Sequence, residues 1–288
     1  MKVPSNLLSD IIRHYQAKLT VLYPEYESRQ MLYWLVEDFF GFTPQHLALN
    51  PDLRLSESEL LKVHFAIKDL LKYKPLQYIT GKAWFYGRIF QVNPHVLIPR
   101  QETELLVSKA LEFLSHRPEK RVLDMGTGSG CIAISLALEC EGSKVMAIEK
   151  FLPALELAQS NAAALQAAVE FVQGDLMDVN QKLLTHEFDL IVSNPPYVTE
   201  SDKQLMRNNV IDWEPEHALF VPDNEPLLFY KPLATFARLH LAKGGMLIVE
   251  INERFAESVK QLLIEQGFSN IRLSMDIHDK ARLVSAQL

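Results

Sequence analysis

Apolar residues recur at intervals of three and four along the first 75 positions of the chain, and this spacing predicts helices with one buried face. The first such face runs from Leu7 to Leu19. A second runs from Met31 to Phe40, and Gly41 directly after it is a natural end for a helix. This part of the chain is therefore predicted to be helical.

Polar residues mark two further helix starts. Thr43 precedes Pro44, and proline is favoured at the first position of a helix. Ser56, with a glutamate three residues later, has the form of a capping box and predicts a helix through Leu71. Residues 1–75 are thus predicted to form a small helical domain. It carries no catalytic constellation of its own, so we expect it either to dock a partner or to pack against the rest of the protein.

The pattern changes after Pro75. Residues 76–100 are rich in aromatic and β-branched residues, with Gly81 and Gly87 at turn positions, which predicts a linking β-hairpin. From residue 101 onward, short apolar runs alternate with amphipathic stretches. The predicted strands are 121–125, 144–149, 169–173, 188–193, 246–251, 269–275 and 282–286, and clear helices are predicted at 153–165 and 254–266.

Alternation of strands and helices is typical of an α/β domain with helices on both faces of a mainly parallel sheet. The last two predicted strands have no helix between them, so they are expected to pair antiparallel. Residues 101–288 are therefore predicted to be a Rossmann-like domain. Its sheet has seven strands, mostly parallel, with an antiparallel last strand.

Composition agrees with a globular protein that lies in the cytoplasm. Of the 288 residues, 48% are hydrophobic and 23% are charged. No apolar run approaches the roughly 20 residues that span a bilayer, and Asp10 and Arg13 interrupt any early signal-peptide core. Cys131 and Cys140 fall in one predicted helix, about 13 Å apart, which is too far for a disulfide. We expect no membrane association.

Charge narrows the partners further. Lysine and arginine number 29 against 36 aspartates and glutamates, which gives a net charge of −7. Proteins that bind nucleic-acid backbones usually carry a basic surplus or a basic stripe, so no direct nucleic-acid partner is expected. The nine histidines are scattered without the spacing of metal ligands, and no metal site is expected.

A glycine-rich segment follows the first strand of the α/β domain. Three of the chain's 11 glycines lie in it, and a helix is predicted to follow. This strand–glycine–helix order is that of a nucleotide-binding loop, where a Cβ atom would block the approach of a ligand to the backbone. Its residues are Gly126, Thr127, Gly128, Ser129 and Gly130.

The ligand of this loop is predicted from its spacing. Cys131 stands where a dinucleotide fingerprint needs its third glycine, so that fingerprint is not met. The pattern D-x-G-x-G-x-G from Asp124 suits a nucleoside without phosphates. The second strand ends at Glu149, about 20 residues beyond the loop, and such a carboxylate can accept both ribose hydroxyls. Together these features resemble the S-adenosylmethionine site of class I methyltransferases.

The tetrapeptide Asn194-Pro195-Pro196-Tyr197 follows the fourth strand, at the sheet edge where ligands bind in open α/β sheets. An amide or exocyclic amino nitrogen is a poor nucleophile because its lone pair is delocalised. It therefore needs acceptors that hold its N–H groups. The Asn194 side chain offers one carbonyl, and Pro195 offers a backbone carbonyl that two stiff prolines fix in direction. Tyr197 offers an aromatic face for a planar group.

Catalysis at such a site would come mostly from alignment of nitrogen and methyl group, without a strong base or a metal. The tetrapeptide alone fits methylation of an amide and of the adenine N6 nitrogen equally well, and its flanks separate the two. Separate blocks agree in order and spacing with the peptide chain release factor glutamine methyltransferases. These blocks are Pro75–Gly81, Val96–Leu106, Asp124–Gly130, Asn194–Tyr197, Glu214-Pro215, Ala218-Leu219, Gly244-Gly245 and Glu250-Ile251.

The chain resembles that family over about residues 70–288, and the helical N-terminal part matches in kind. The resemblance implies the class I fold and transfer of a methyl group from S-adenosylmethionine to the side-chain nitrogen (N5) of the glutamine in the Gly-Gly-Gln motif of release factors. It also implies that the helical domain and the hairpin help to dock that partner.

The resemblance also implies roles for single residues. Gly126–Gly130 would wrap the methionine part of the cofactor, Glu149 would take the ribose hydroxyls, and Leu176 would border the adenine. Asn194 would touch both cofactor and substrate. The glutamine pocket would be completed by Pro195, Pro196 and Tyr197.

Three positions depart from the family pattern. Gln101 stands in place of the second proline of P-R-P-E-T-E, Leu176 stands where an aromatic residue is frequent, and Asn252 stands where glycine is common. The long segment after the tetrapeptide is predicted to be a loop that can close over the substrate. Its charged residues are predicted to form a solvated rim: Asp202, Lys203, Glu214 and Glu216.

Three other functions stay open at this point. A ribosomal-protein glutamine methyltransferase shares the chemistry, but the P-R-Q-E-T-E block favours release factors. An N6-adenine methyltransferase predicts a basic groove, which the balanced N-terminal charge does not favour. A non-catalytic adaptor that binds the cofactor predicts damage in the glycine loop or the tetrapeptide, and both are intact. We expect the protein to be a monomer.

Overall fold

The computed structural model describes residues 5–117, 120–178 and 187–288. It divides into two compact units. The first holds the chain up to Gly81 together with Arg207–Trp213, and the second holds Lys82–Met206 and Glu214–Leu288.

The first unit is helical, as predicted. Its helices are α1 (Leu8–Leu19), α2 (Glu25–Phe40), α3 (Pro44–Leu49), α4 (Glu57–Leu70), α5 (Leu76–Thr80) and α9 (Asn208–Ile211). The predicted end of α2 is confirmed, because Gly41 adopts the left-handed conformation with φ of 72°. The predicted caps are confirmed as well: Thr43 caps α3, and Ser56 forms the capping box of α4.

The second unit contains all strands that the structure describes. They are β1 (Lys82–Phe85), β2 (Arg88–Gln91), β3 (Arg121–Met125), β4 (Lys144–Glu149), β5 (Val169–Gln173), β6 (Phe188–Ser193), β7 (Val198–Thr199), β8 (Phe220–Val221), β9 (Leu241–Glu250), β10 (Ser269–Met275) and β11 (Ala281–Gln287). The helices of this unit are α6 (Glu104–Leu114), α7 (Cys131–Glu139), α8 (Leu152–Leu165), α10 (Tyr230–His240) and α11 (Ala256–Glu265).

Seven of these strands form one sheet in the order β10-β11-β9-β6-β3-β4-β5. The five strands from β9 to β5 run parallel, and β11 pairs antiparallel with both β9 and β10. The predicted seven-stranded, mostly parallel sheet with its antiparallel last strand is confirmed. The chain enters the sheet at β3 and builds outward to β5, then crosses back to β6 on the other side of β3. This reversal is the topological switch point, where open α/β sheets bind ligands.

Apolar side chains on both faces hold the sheet in place. Alternate residues of one strand enter separate clusters: Leu123 and Ile191 lie in one cluster, and Val122, Leu190 and Val192 lie in the other. Strand β6 is buried along its whole length. A strand that is covered on both faces reads as a continuous apolar run, which is why the sequence predicts it well.

Two predicted elements differ from the structure. The hairpin prediction from residue 76 is wrong for its first part, because Leu76–Thr80 forms the short helix α5 and the hairpin strands span only Lys82–Gln91. Pro75 begins this helical turn and Gly81, with φ of 73°, ends it, so two backbone signals outweigh the β-branched composition. Strand β9 begins at Leu241 rather than at the predicted residue 246. Residues 242–245 contain Gly244-Gly245 and resemble a turn in sequence. In the structure they lie where the pairing of β9 with β6 shifts in register.

Gly130 sets how closely α7 can approach α8. Its φ is +82°, and a Cβ atom there would lie 2.9 Å from Ile134 Cδ1 and 3.2 Å from Ala158 Cβ. Only a residue without a side chain permits this packing directly behind the glycine loop.

We expect Gly130→Ala to lower the free energy of unfolding by about 2 to 4 kcal/mol, from positive φ and overpacking together. Gly142→Ala is the matched control. Its φ is +75° and a Cβ atom there meets nothing within 4 Å, so it should lose only about 1 kcal/mol. Urea unfolding of both variants measures the difference. Equal losses would show that the packing behind Gly130 tolerates a methyl group.

Candidate active site

A cavity lies at the switch point, at the carboxyl ends of β3, β4 and β6. We call it the switch-point cavity. Nine residues that the sequence analysis assigned to cofactor or substrate lie in its wall: Gly126, Thr127, Gly128, Ser129, Glu149, Leu176, Asn194, Pro195 and Pro196. The structure thus brings together the glycine loop, the acid and most of the tetrapeptide. Gly130 and Tyr197 are the predicted site residues that do not line it.

The glycine loop exposes its backbone to the cavity. Gly126 and Gly128 have φ of +76° and +56°, and a Cβ atom at either position would meet no protein atom within 4 Å. The N–H groups of Gly126 and Thr127 both donate to the carbonyl of Ile148, at 2.9 and 3.0 Å, which fixes the loop to β4. Space beside both glycines is therefore open to a ligand. Gly130 contributes differently, through the helix packing described above.

Glu149 is held rigidly at the end of β4. Its Oε2 accepts a hydrogen bond from Gly128 N–H at 2.9 Å, and its Oε1 accepts one from Phe151 N–H at 3.0 Å. The residue is buried, yet it lines the cavity. Each carboxylate oxygen can accept a further hydrogen bond. The arrangement is compatible with the predicted ribose role of Glu149, which stays a prediction.

Asp124 lies beneath the glycine loop and is fully buried. Thr127 Oγ1 donates to its Oδ2 at 2.6 Å, whereas its Oδ1 has no hydrogen-bond partner in the described parts of the chain. Burial raises the pKa of Asp124 to about 7. An acid that ordinarily carries a full charge at neutral pH is therefore close to half protonated here.

Asn161 connects the glycine loop to the hairpin. From α8, its side-chain nitrogen donates to the carbonyls of Ser129 and Gln91, at 2.9 and 3.0 Å. Its oxygen accepts from Gln91 N–H at 2.7 Å. One buried amide thus satisfies the edge of β2 and one carbonyl of the loop.

Asn194 directs its two amide atoms differently. Its nitrogen donates to Thr103 Oγ1 at 3.2 Å, while its oxygen accepts no hydrogen bond from any residue that the structure describes. Pro195 beside it is buried, and both residues line the cavity. Asn194 therefore offers an acceptor at the cavity that none of the described residues uses.

Tyr197 lies away from the cavity. Its hydroxyl donates to Glu250 Oε1 at 2.8 Å, and its ring packs against the core on one face of the sheet. Burial raises the pKa of Tyr197 well above its usual range. These contacts give Tyr197 an anchoring position, and the predicted stacking on a substrate amide stays a prediction.

The segment after the tetrapeptide is not the plain loop that the sequence suggested. Strands β7 and β8 pair in parallel within it. The prediction of a solvated rim is wrong for Glu214, which is buried and accepts hydrogen bonds from Ile98 N–H, at 3.1 Å, and from the Arg100 guanidinium. A carboxylate needs such partners when it leaves water. Closure of this segment over a substrate stays a prediction.

Sequence reasoning gave no role to several side chains that the structure places at the cavity. The rings of Phe151 and His217 lie 3.8 Å apart between centroids, and both line the wall. Burial lowers the pKa of His217. Thr103 lines the wall as well, and its partner Glu250 lies behind it. Thr103 and Glu250 both occur in motifs of the family resemblance, but a motif does not show which contacts its residues make.

The three departures from the family pattern each fit their local structure. Gln101 begins a 3-10 turn over Gln101–Thr103 without a proline. Leu176 lines the cavity and packs against the core. Asn252 caps the 3-10 turn Glu253–Phe255, because its side-chain oxygen accepts from Arg254 N–H at 3.0 Å.

Two further kinds of site are absent from the described residues. No group of three or more histidines, cysteines, aspartates or glutamates there could hold a metal ion. No helix there is both long enough and apolar enough to cross a membrane.

Comparison with known proteins decides the family. The chain is 37% identical over 281 residues to the release factor glutamine methyltransferase of Flavobacterium psychrophilum, covering 95% of this chain and 98% of the relative. It is 38% identical over 280 residues to that of Bacteroides thetaiotaomicron, covering 97% and 99%. The chain belongs to the release factor glutamine methyltransferase family. The predicted family is confirmed, and with it the prediction of a methyltransferase enzyme.

Two domain families match within this chain. Residues 10–81 match the PrmC N-terminal domain, and residues 101–214 match the Methyltransferase small domain. Among solved structures, a methyltransferase from Pyrococcus furiosus aligns with a TM-score of 0.53 at 18% identity, over 81% of this chain and 98% of that one. At that identity the likeness concerns the fold, and it agrees with the predicted class I architecture.

The raised pKa of Asp124 makes stability depend on pH. Asp124 loses its proton near pH 3.8 in the unfolded state and near pH 7 in the folded state. Its contribution to the free energy of unfolding is therefore complete below pH 3.8 and is lost as the pH rises through 7. Asp124→Asn resembles the neutral acid and cannot ionise. We expect its free energy of unfolding, relative to that of the original protein, to rise between about pH 4 and 7 and to level off above pH 7, as measured by urea unfolding. A difference that stays constant with pH would show that Asp124 does not titrate in this range.

Proposed function

We propose that this protein transfers a methyl group from S-adenosylmethionine to the side-chain nitrogen N5 of the glutamine in the Gly-Gly-Gln motif of peptide chain release factors. The observation that carries the proposal is the unused amide oxygen of Asn194 at the switch-point cavity, next to the rigid Pro195. The names of relatives that match almost the whole chain support the same substrate.

The residues present fit S-adenosylmethionine. The open backbone at Gly126 and Gly128 leaves room that a side chain would fill, and Glu149 presents a fixed carboxylate. Asp124 lies buried beneath this loop, and its Oδ1 is unpartnered among the described residues. We assign the methionine part to Gly126–Gly130, the ribose to Glu149 and the adenine border to Leu176. When bound, the cofactor supplies a methyl group on a positively charged sulfur.

The protein's own contribution is alignment. Asn194 Oδ1 and the Pro195 carbonyl accept the two N–H groups of the substrate amide, which directs the nitrogen toward the methyl group. Two adjacent prolines restrict the backbone, so the Pro195 carbonyl keeps its direction. The nitrogen would gain the methyl group as the bond from that group to the cofactor sulfur breaks, with the electron pair left on a neutral sulfur. The methylated nitrogen is acidic and then loses one proton to water. Binding residues on the substrate side are Asn194, Pro195 and Pro196, and the stacking role of Tyr197 stays a prediction because its ring packs against the core.

Partner docking and cellular location belong to the same proposal. The N-terminal helices and the hairpin would dock the release factor, and the protein would act as a monomer in the cytoplasm. The free and buried Cys131 and Cys140 are compatible with a reducing compartment. A ribosomal-protein substrate is the second candidate, because the same acceptors would suit any glutamine amide.

The direct test incubates the purified protein with a purified release factor and S-adenosylmethionine, followed by peptide mass spectrometry. We expect one added methyl group on the glutamine of Gly-Gly-Gln. A release factor with glutamate in place of that glutamine is the control and should stay unmodified. Methylation of ribosomal proteins instead, with the release factor untouched, would replace this substrate by the second candidate.

We expect Asn194→Ala to lower kcat by at least about 100-fold, because its acceptor role matters most near the transition state. The Kd for S-adenosylmethionine should rise by less than about 10-fold, since the rest of the wall is intact. Single-turnover methylation and calorimetry measure the two quantities. Near-normal turnover by this variant would remove Asn194 from the mechanism.

A further inference from the structure

A chain of hydrogen bonds runs from the buried Glu250 to the catalytic Asn194. Glu250 ends β9 and is 1% exposed. Its Oε2 accepts from Thr103 Oγ1 at 2.6 Å, and Thr103 Oγ1 in turn accepts from the Asn194 nitrogen at 3.2 Å. These three residues come from three separate segments, which meet only in the folded protein.

The direction of these hydrogen bonds follows from which atoms can donate and which can accept. Thr103 Oγ1 donates to Glu250 Oε2, and this bond commits the single hydroxyl proton of Thr103. The Thr103 oxygen is then left with lone pairs and must accept from its next neighbour. Asn194 can donate only through its nitrogen. Its oxygen therefore faces away from Thr103.

Shape alone would not select this orientation. The oxygen and the nitrogen of an asparagine amide are nearly the same size, so the two flipped forms fill space equally well. The hydrogen-bond network decides between them. Without a fixed donor direction at Thr103, the Asn194 amide could present either atom to the cavity.

Glu250 holds the other end of the tetrapeptide as well. Its Oε1 accepts from the Tyr197 hydroxyl at 2.8 Å, and its backbone carbonyl accepts from the Tyr230 hydroxyl at 3.0 Å. A buried carboxylate is costly unless hydrogen bonds satisfy it. The hydroxyls of Thr103 and Tyr197 supply these bonds, and both lead to the Asn194–Tyr197 segment.

We infer that Glu250 and Thr103 are positioning residues that hold the Asn194 amide with its oxygen toward the substrate. The inference rests on the proposed function, in which that oxygen accepts an N–H group of the substrate glutamine. Glu250 would act on the substrate only through Thr103 and Asn194, without touching the substrate itself.

The first test compares Thr103→Val with Thr103→Ser. Valine keeps the shape and removes the hydroxyl, so we expect kcat for release factor methylation to fall by about 10- to 100-fold. Serine keeps the hydroxyl and should retain at least about a third of kcat. The Kd for S-adenosylmethionine should change less than about 3-fold in both. Full kcat in folded Thr103→Val would overturn the inference.

The second test uses Glu250→Gln. Glutamine has an NH2 donor in place of one carboxylate oxygen, so one of the hydroxyls of Thr103 and Tyr197 loses the oxygen to which it donates. We expect a kcat loss similar to that of Thr103→Val. Combining either substitution with Asn194→Ala should cost no more than Asn194→Ala alone, because all act through one amide. Additive losses would mean that Glu250 and Thr103 act elsewhere.

Glu253→Gln is the matched control. Glu253 is an exposed glutamate near the same strand end, paired with Lys280 at 3.0 Å. It should leave kcat and cofactor affinity unchanged. A loss in this variant equal to that of Glu250→Gln would assign the effect to general charge rather than to the hydrogen-bond chain.

A third measurement does not depend on the substrate. The side-chain amide signal of Asn194 can be assigned in nitrogen–proton NMR spectra by its disappearance in Asn194→Ala. We expect slow hydrogen exchange in the original protein and faster exchange in Thr103→Val. If the original protein does not methylate release factors, the proposed function fails, and this exchange measurement still tests the orientation. An unchanged signal in Thr103→Val would refute it.

Discussion

The parallel pairing of β3 with β6 is the contact on which the site depends. These strands are separated by more than 60 residues, yet Val122 pairs with Leu190 and Asp124 with Val192. Because both strands end at the same edge of the sheet, the glycine loop after β3 and Asn194 after β6 come to lie beside each other. The apolar clusters on both faces hold this pairing in place. The order of the strands thus brings the glycine loop and Asn194 together without any contribution from polar contacts.

Three acids lie at this edge, and each is stabilised in a different way. Glu149 accepts from two backbone N–H groups, and Glu250 accepts from two hydroxyl groups. Asp124 receives one hydroxyl bond, and burial shifts its pKa to about 7. The number of donors matters because burial alone disfavours the ionised form. Two donors thus meet each of Glu149 and Glu250, whereas a single donor meets Asp124.

The sequence allowed the strands of the sheet to be predicted well, because buried strands produce continuous apolar runs and turn residues mark their ends. It also pointed to the glycine loop and Asn194, which the structure places in the wall of one cavity, because each belongs to a short contiguous motif. It did not reveal the bond between Thr103 and Glu250, since residues 147 positions apart give no local pattern. Glu214 was misjudged for the same reason: a charged residue in a long segment resembles a surface residue until its distant partner Arg100 is known. The short helix α5 escaped because five residues show no clear period.

Asn161 gives the hairpin and the glycine loop a common constraint. Its nitrogen serves the carbonyls of Ser129 and Gln91 at once, so a displacement of β2 changes the hydrogen bonding of the loop. Energetic coupling between two sites is reciprocal: if occupancy of the loop strengthens binding at the hairpin, binding at the hairpin strengthens occupancy of the loop by the same factor. A single buried amide thus joins the hydrogen bonding of two segments that lie 38 positions apart in the sequence, so that neither can move without a change at the other.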